Sequence, residues 1–212
     1  MADELVFYTN PMSRGRIVRW MLEEVGQPYR TEILEFAAMK HADYLAINPM
    51  GKVPAIRHGE TVVTEAGAIC AYLADAFPDA GLAPPLRDTR RGPYFRWLFF
   101  AAGPVEAAVT NRTLGFDPPA ERKAMVGYGS YPDVMDALEI ALSNGDYLLG
   151  DQFSAADVYF GAHIGWGLQF GSIEKRPIFE HYSQRLQSRP AAVRAREIDD
   201  ALVAAAQPAP VA

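Results

Sequence analysis

Two neighbouring segments of this chain carry residue types that could recognise a ligand: Asn48-Pro49-Met50-Gly51-Lys52-Val53-Pro54-Ala55-Ile56, and Thr64-Glu65-Ala66-Gly67-Ala68-Ile69. Proline near the front of the apolar run Val53-Pro54-Ala55-Ile56 implies a strand start or an edge, because it has no N–H to give to a ladder. A cis bond at Val53-Pro54 would turn the Val53 backbone outward, where an extended ligand can pair with it as one more strand. Gly59 makes a turn, residues 61–64 extend again, and Glu65 to Ala68 open a helix whose apolar positions Ile69, Leu73 and Phe77 recur every four residues. The start of such a helix offers unpaired N–H groups and a positive dipole end, which is a carboxylate site. Strand edge and helix start together suit a small acidic peptide.

The elements that must position these residues follow from periodicity. Residues 5–8 read as a short apolar strand, 14–25 as a helix ending at Gly26, and 29–34 as an alternating strand, followed by a polar loop, two more strands and the helix just described. This β-α-β, then β-β-α order predicts an α/β domain over 1–78, a small mixed sheet with helices on its faces. Prolines and a glycine crowd residues 78–85, predicting a linker over 79–86. Everything beyond reads helical, an all-α domain over 87–212, with helices near 87–112, 119–143, 155–170, 178–188 and 191–205. Pro93, Pro104 and Pro132 are expected to mark kinks or breaks. The terminal Gln-Pro-Ala-Pro-Val-Ala has nothing to pack and is expected to fray.

Composition narrows the function classes. The chain has 212 residues, a net charge of −6 and one cysteine. Its arginines scatter rather than form a stripe, which argues against nucleic acid and against an anionic membrane surface. No apolar run approaches the roughly 18 residues of a membrane helix, and the opening Met-Ala-Asp-Glu is unlike a signal peptide, so the expectation is a cytoplasmic protein. Cys70 excludes an internal disulfide and reads as a small buried hydrophobe. The four histidines are dispersed, and no metal site is expected.

At Asn48 to Ile69 the chain resembles the cytosolic glutathione transferase family, whose pattern is Asn-Pro-x-Gly-x-Val-Pro, then an acidic residue and a Ser or Thr before a small, apolar helix. The family's hydroxyl is Ala66 here, so one side-chain bond to a γ-glutamyl carboxylate is missing while Glu65 and the Ala66 N–H remain. A second marker is Ser154-Ala155-Ala156-Asp157, led in by Gly150-Asp151-Gln152-Phe153. It reads as a capping box worth about 1 kcal/mol, and in the resembled family it starts the central helix of the second domain.

The resemblance implies a thioredoxin-like domain followed by an all-helical one, glutathione as co-substrate, a small hydrophobic electrophile, a homodimer and a detoxifying transferase. Other glutathione-dependent reactions of the same fold (isomerisation, ether cleavage, peroxide reduction) and a non-catalytic binding protein stay open. Catalysis requires a donor aimed at the glutathione sulfur, because a free thiol has a pKa near ~8.5 and the thiolate is the nucleophile. Three residues between the first strand and helix are candidates. Ser13 stands where the serine-type bacterial members keep their hydroxyl, and its plain alternative is an N-cap. Tyr8 matches the tyrosine-type position, or packs as a core tyrosine. Asn10 is an amide donor or a turn residue. Arg14, with Arg16 and Arg19, places positive charge on the first helix. Lys40, His41 and Lys52 flank the Asn48 loop and could meet the glycyl carboxylate, Lys52 by family position. Val53 and Pro54 would hold the cysteinyl backbone. Tyr94, Phe95, Trp97, Phe99 and Phe100, with Trp166 and Phe170, are candidates either for an electrophile wall or for core.

Overall fold

The computed structural model describes residues 4–206, so the frayed end expected from residue 207 onward lies outside the described residues. By packing, the chain divides into two units, residues 4–80 with 188–206, and residues 81–187.

The first unit runs β1 (Leu5–Thr9), α1 (Gly15–Val25), β2 (Arg30–Ile33), a 3-10 turn at Ala38–Lys40, α2 (Ala42–Leu45), β3 (Ala55–His58), β4 (Thr61–Thr64) and α3 (Ala66–Ala76). The sheet order is β2-β1-β3-β4, with β1 parallel to β2 and the other pairs antiparallel. Every residue of β1 is buried, as expected of a central strand covered on both faces. Gly26 ends α1 in the left-handed conformation, φ 71°, with its N–H on the Leu22 carbonyl. The stretch read as a polar loop holds two short helical turns, anchored by Met39 and Tyr44, which join Val6, Tyr8 and Ala55 in one buried cluster.

The helix α9 (Pro190–Ala206) packs on α1 and so falls with the first unit, although it lies within the stretch 87–212 that the sequence groups as one helical domain. α9 buries Ala191, Ala195 and Asp199 and is joined to α1 by ion pairs whose partners lie far apart along the chain, with Arg189, just before α9, adding one more.

The second unit contains α4 (Arg91–Phe100), a π-helical turn at Ala101–Val105, α5 (Glu106–Thr113), a 3-10 stretch at Ala120–Met125, α6 (Tyr131–Leu142), α7 (Ala155–Phe170) and α8 (Pro177–Gln187). Pro104 sits inside the π turn, which interrupts the helix expected over 87–112. The helix expected over 119–143 is instead two pieces. Ser130 caps α6 by accepting the Asp133 N–H at 3.3 Å, and Pro132 occupies the first turn, where its missing N–H costs nothing. Tyr94 and Trp97 are core: Trp97 meets Phe160 edge-to-face at 6.0 Å, and Phe160 meets Tyr182 at 6.2 Å. Phe99 and Phe170 remain exposed.

Candidate functional site

The first unit brings together the ends of β1, β3 and the starts of α1 and α3. Gly15 lets α1 start hard against the strand, since a Cβ there would lie 1.9 Å from Thr9 Oγ1. The intervening turn is built by Asn10. Its Oδ1 accepts the Met12 N–H at 2.9 Å and its Nδ2 donates to the Leu34 carbonyl at 2.9 Å, so both polar ends of the side chain are engaged in the loop.

Ser13 follows, half-buried. Its hydroxyl donates to the Asn10 carbonyl at 2.7 Å and accepts the Gly15 N–H at 2.9 Å. The Asn10 carbonyl also accepts the Ser13 N–H at 3.1 Å, so it stays paired if the hydroxyl turns elsewhere. Tyr8 lies one strand length back and is 8% exposed, its ring 5.9 Å from that of Tyr44. Of the two expected roles for Tyr8, the packing one is visible in this contact.

The second half of the site is the Asn48 loop. Asn48 Nδ2 and the Tyr44 hydroxyl both donate to the Lys52 carbonyl at 2.7 Å, and Asn48 Oδ1 accepts the Met50 N–H at 3.1 Å. Burial raises the Tyr44 phenol to about 12, so it stays a donor at neutral pH. Gly51, at φ 57°, cannot carry a side chain: a Cβ would stand 2.6 Å from the Met39 carbonyl. Lys40 ties the loop by donating from Nζ to the Met50 carbonyl at 2.8 Å. The Lys52 side chain is exposed, while its backbone is held.

The Val53-Pro54 bond is cis. Val53 precedes the β3 ladder and packs against the Tyr8 cluster. Glu65 has φ 65° and ψ 119°, the one non-glycine residue with positive φ among those described, and sits exposed at the N-cap of α3. A bulky residue held there is strained, a condition that clusters at ligand sites. No side-chain hydrogen bond caps α3, so its first N–H groups, beginning at the buried Ala66, lack a side-chain partner at the cap.

Arg16 and Arg19 do not behave as ligand-attracting charges. Arg19 and Asp199 form a buried pair at 2.8 Å, and Arg16 pairs with Asp200 at 2.7 Å. Arg14 is exposed at the head of α1. The Cys70 thiol is buried and pushed up by that burial, which leaves it an inert apolar group. Among the described residues, no group of three or more His, Cys, Asp or Glu is placed to hold a metal ion, and no helix is long and apolar enough to cross a membrane.

The second unit has a cavity of about 240 Å³ at the end of α5 and the start of α6, lined by Arg112, Phe116, Asp117, Tyr128 and Tyr131 among others. The Arg112 guanidinium lies 3.9 Å over the Tyr131 ring. None of these residues was among the sequence candidates. The aromatic run at 94–100 drew attention by its density, whereas this pocket draws its walls from two helices and the segment between them.

A model of the "Glutathione S-transferase, N-terminal domain" matches residues 12–76, and one of the "Glutathione S-transferase, C-terminal domain" matches residues 118–190. The glutathione S-transferase GstA of Escherichia coli O157:H7 is 30% identical over 164 residues, which is 76% of this chain and 78% of that protein. The chain belongs to the glutathione S-transferase family. A glutathione transferase from Methylococcus capsulatus is 29% identical at a TM-score of 0.77, covering 93% of this chain and 99% of its own. A sphingomonad glutathione S-transferase solved in complex with glutathione is also 29% identical, at a TM-score of 0.75 over 92% of this chain and 98% of its own. Within the family frame, the sheet order and the α3 start belong to the thioredoxin-like domain expected from the sequence.

Proposed function

We propose that this glutathione S-transferase binds glutathione at the Val53 backbone and the start of α3, and that the Ser13 hydroxyl stabilises its thiolate for attack on a small apolar electrophile. The observation that carries the reading is the hydrogen bonding of Ser13: its oxygen already accepts the Gly15 N–H, and its proton goes to a carbonyl that has a second donor. Turning the proton to a bound sulfur therefore leaves no group unpaired. The Gly15 N–H polarises the hydroxyl and makes it a better donor, and the positive end of α1 adds to the field. Tyr8 is engaged in packing and Asn10 in the turn, so each is a weaker candidate for the same task.

The γ-glutamyl carboxylate fits the uncapped start of α3, the Glu65 carboxylate meets the ligand ammonium, and the exposed Lys52 meets the glycyl carboxylate, Lys40 being engaged with Met50. Arg14 adds positive potential at the head of α1. A homodimer in the cytoplasm accords with the family; sedimentation would give twice the chain mass.

The test is a titration of bound-glutathione thiolate absorbance against pH, in the wild type, in Ser13→Ala and in Tyr8→Phe. Ser13→Ala should return the thiol toward its free value of ~8.5 with affinity nearly unchanged. A free-like titration in Tyr8→Phe, with a lowered one retained in Ser13→Ala, transfers the role to the tyrosine.

A further inference from the structure

α1 and α9 face each other with their charges in antiparallel order. Along α1, Arg16 and Arg19 are followed by Glu23 and Glu24. Running the other way, α9 and the residue before it offer Asp200 and Asp199, then Arg194 and Arg189. The pairs are Arg16–Asp200 at 2.7 Å, Arg19–Asp199 at 2.8 Å, Arg194–Glu23 at 3.3 Å and Arg189–Glu24 at 2.7 Å. A slip of α9 by five residues, about 7.5 Å, brings Arg19 level with Arg194, so like charges oppose that displaced register.

At the site end of this array, Arg16 has two arms. Nη1 goes to Asp200, and Nε donates to the Pro11 carbonyl at 2.5 Å. Pro11 lies in the turn whose next residues are Met12 and Ser13, and it brings no N–H of its own to hold that turn. The planar guanidinium fixes both arms at once, so the place of Asp200 dictates the angle at which Nε meets Pro11.

We propose that Arg16 and Asp200 are positioning residues for thiol activation: α9, through Asp200 and Arg16, sets the geometry of the Pro11–Ser13 turn. Arg16 and Asp200 touch no reacting atom. Asp200 is more than half exposed, so the pair adds little to stability, and its value lies in direction. The proposal rests on the reading that the turn carries the thiol activator, and the experiment separates the two.

Asp200→Asn, Arg16→Lys, Asp200→Glu and Arg194→Gln are compared with the wild type and with Ser13→Ala. Two quantities are read: amide hydrogen exchange at Ser13 and Gly15 without ligand, and the thiolate midpoint of bound glutathione. In Asp200→Asn and Arg16→Lys, exchange at both amides should quicken about tenfold. The midpoint should rise by about half a unit to one unit, which lowers kcat about threefold to tenfold at pH well below the midpoint, with glutathione affinity there within about twofold. Asp200→Glu should restore both, and Arg194→Gln, which removes a charge from the far end of the array, should leave both unchanged. Wild-type exchange and midpoint in Asp200→Asn and Arg16→Lys overturn the proposal. Equal shifts in Arg194→Gln overturn it too, because the effect then belongs to general loosening of α9. If Ser13→Ala titrates like the wild type, the serine reading fails, and the ligand-free exchange still decides whether Asp200 sets the turn.

Discussion

Ser13 and Ser154 both stand at helix starts in this protein, and they are wired in opposite ways. Ser154 opens α7 and is fully buried; its N–H and its hydroxyl both donate to Asp157 at 2.9 Å. The same carboxylate also accepts the Leu148 N–H at 2.8 Å and the Tyr182 hydroxyl at 2.9 Å. Ser13 precedes α1, is half-buried, and has Arg16 where Ser154 has Asp157. One serine is closed by a carboxylate three residues on; the other keeps a proton that can be redirected. A serine before a helix is thus a structural cap or an available donor according to the residue at its third following position and the burial around it.

The largest expected effect tests the closed side. Asp157→Ala leaves the Leu148 and Ser154 N–H groups and the Tyr182 hydroxyl without their acceptor in the core, and should cost on the order of 3–5 kcal/mol in denaturant unfolding. A loss under about 1 kcal/mol would break the comparison, because Ser154 would then be no more committed than Ser13.

Ser13→Ala tests the open side. Stability should change by no more than about 1 kcal/mol, the value of a single cap, while turnover falls at least about tenfold. Equal losses of stability at the two serines would show that the turn before α1 is as structural as the box before α7.

A smaller effect is expected at α3, the other open helix start. Restoring a hydroxyl with Ala66→Ser should tighten glutathione by about 0.5–1.5 kcal/mol, and Glu65→Gln should weaken it, both by calorimetry. Unchanged dissociation constants in both variants would place the γ-glutamyl end elsewhere.

The smallest effect is in the pH response. Burial raises the Tyr44 phenol to about 12, while an unfolded tyrosine ionises near ~10. A raised native pKa means that the stabilisation is whole below pH ~10 and is lost as pH rises toward 12. Burial first and Asp157 second push Tyr182 well above its ordinary value. Phenolate absorbance should therefore rise for Tyr44 as pH approaches 12, and for Tyr182 only with unfolding; simultaneous titration would erase the distinction between the loop and the closed box.

What the sequence revealed divides along the distance over which the causes act. α7 spans Ala155–Phe170, the limits read from the sequence, because its cap is a four-residue pattern. The end of α1 at Gly26 and the start of α3 after Glu65 were legible for the same reason. Arg16 and Arg19 show in the sequence only as positive charge on the first helix, because Asp200 and Asp199, which pair with them, stand 184 and 180 residues away along the chain. Arg112 and Tyr131 likewise meet only in the folded unit. The break in the stretch 119–143 was signalled by Pro132, and it falls just ahead of that residue, over Gly127-Tyr128-Gly129-Ser130, with the proline inside the first turn of α6.

The pairing of Arg19 with Asp199 also bears on how the protein is made. Arg19 leaves the ribosome well before α9, with its guanidinium destined for a place that is 2% exposed beside Phe7 and Tyr29. Its counter-ion is translated 180 residues later. Until then the nascent first unit either keeps that charge in water or buries it uncompensated at a cost of several kcal/mol. Completion of the first unit is thereby deferred until α9 has been made, and a message truncated before Asp199 yields a chain in which the Arg19 guanidinium has no counter-ion at that place.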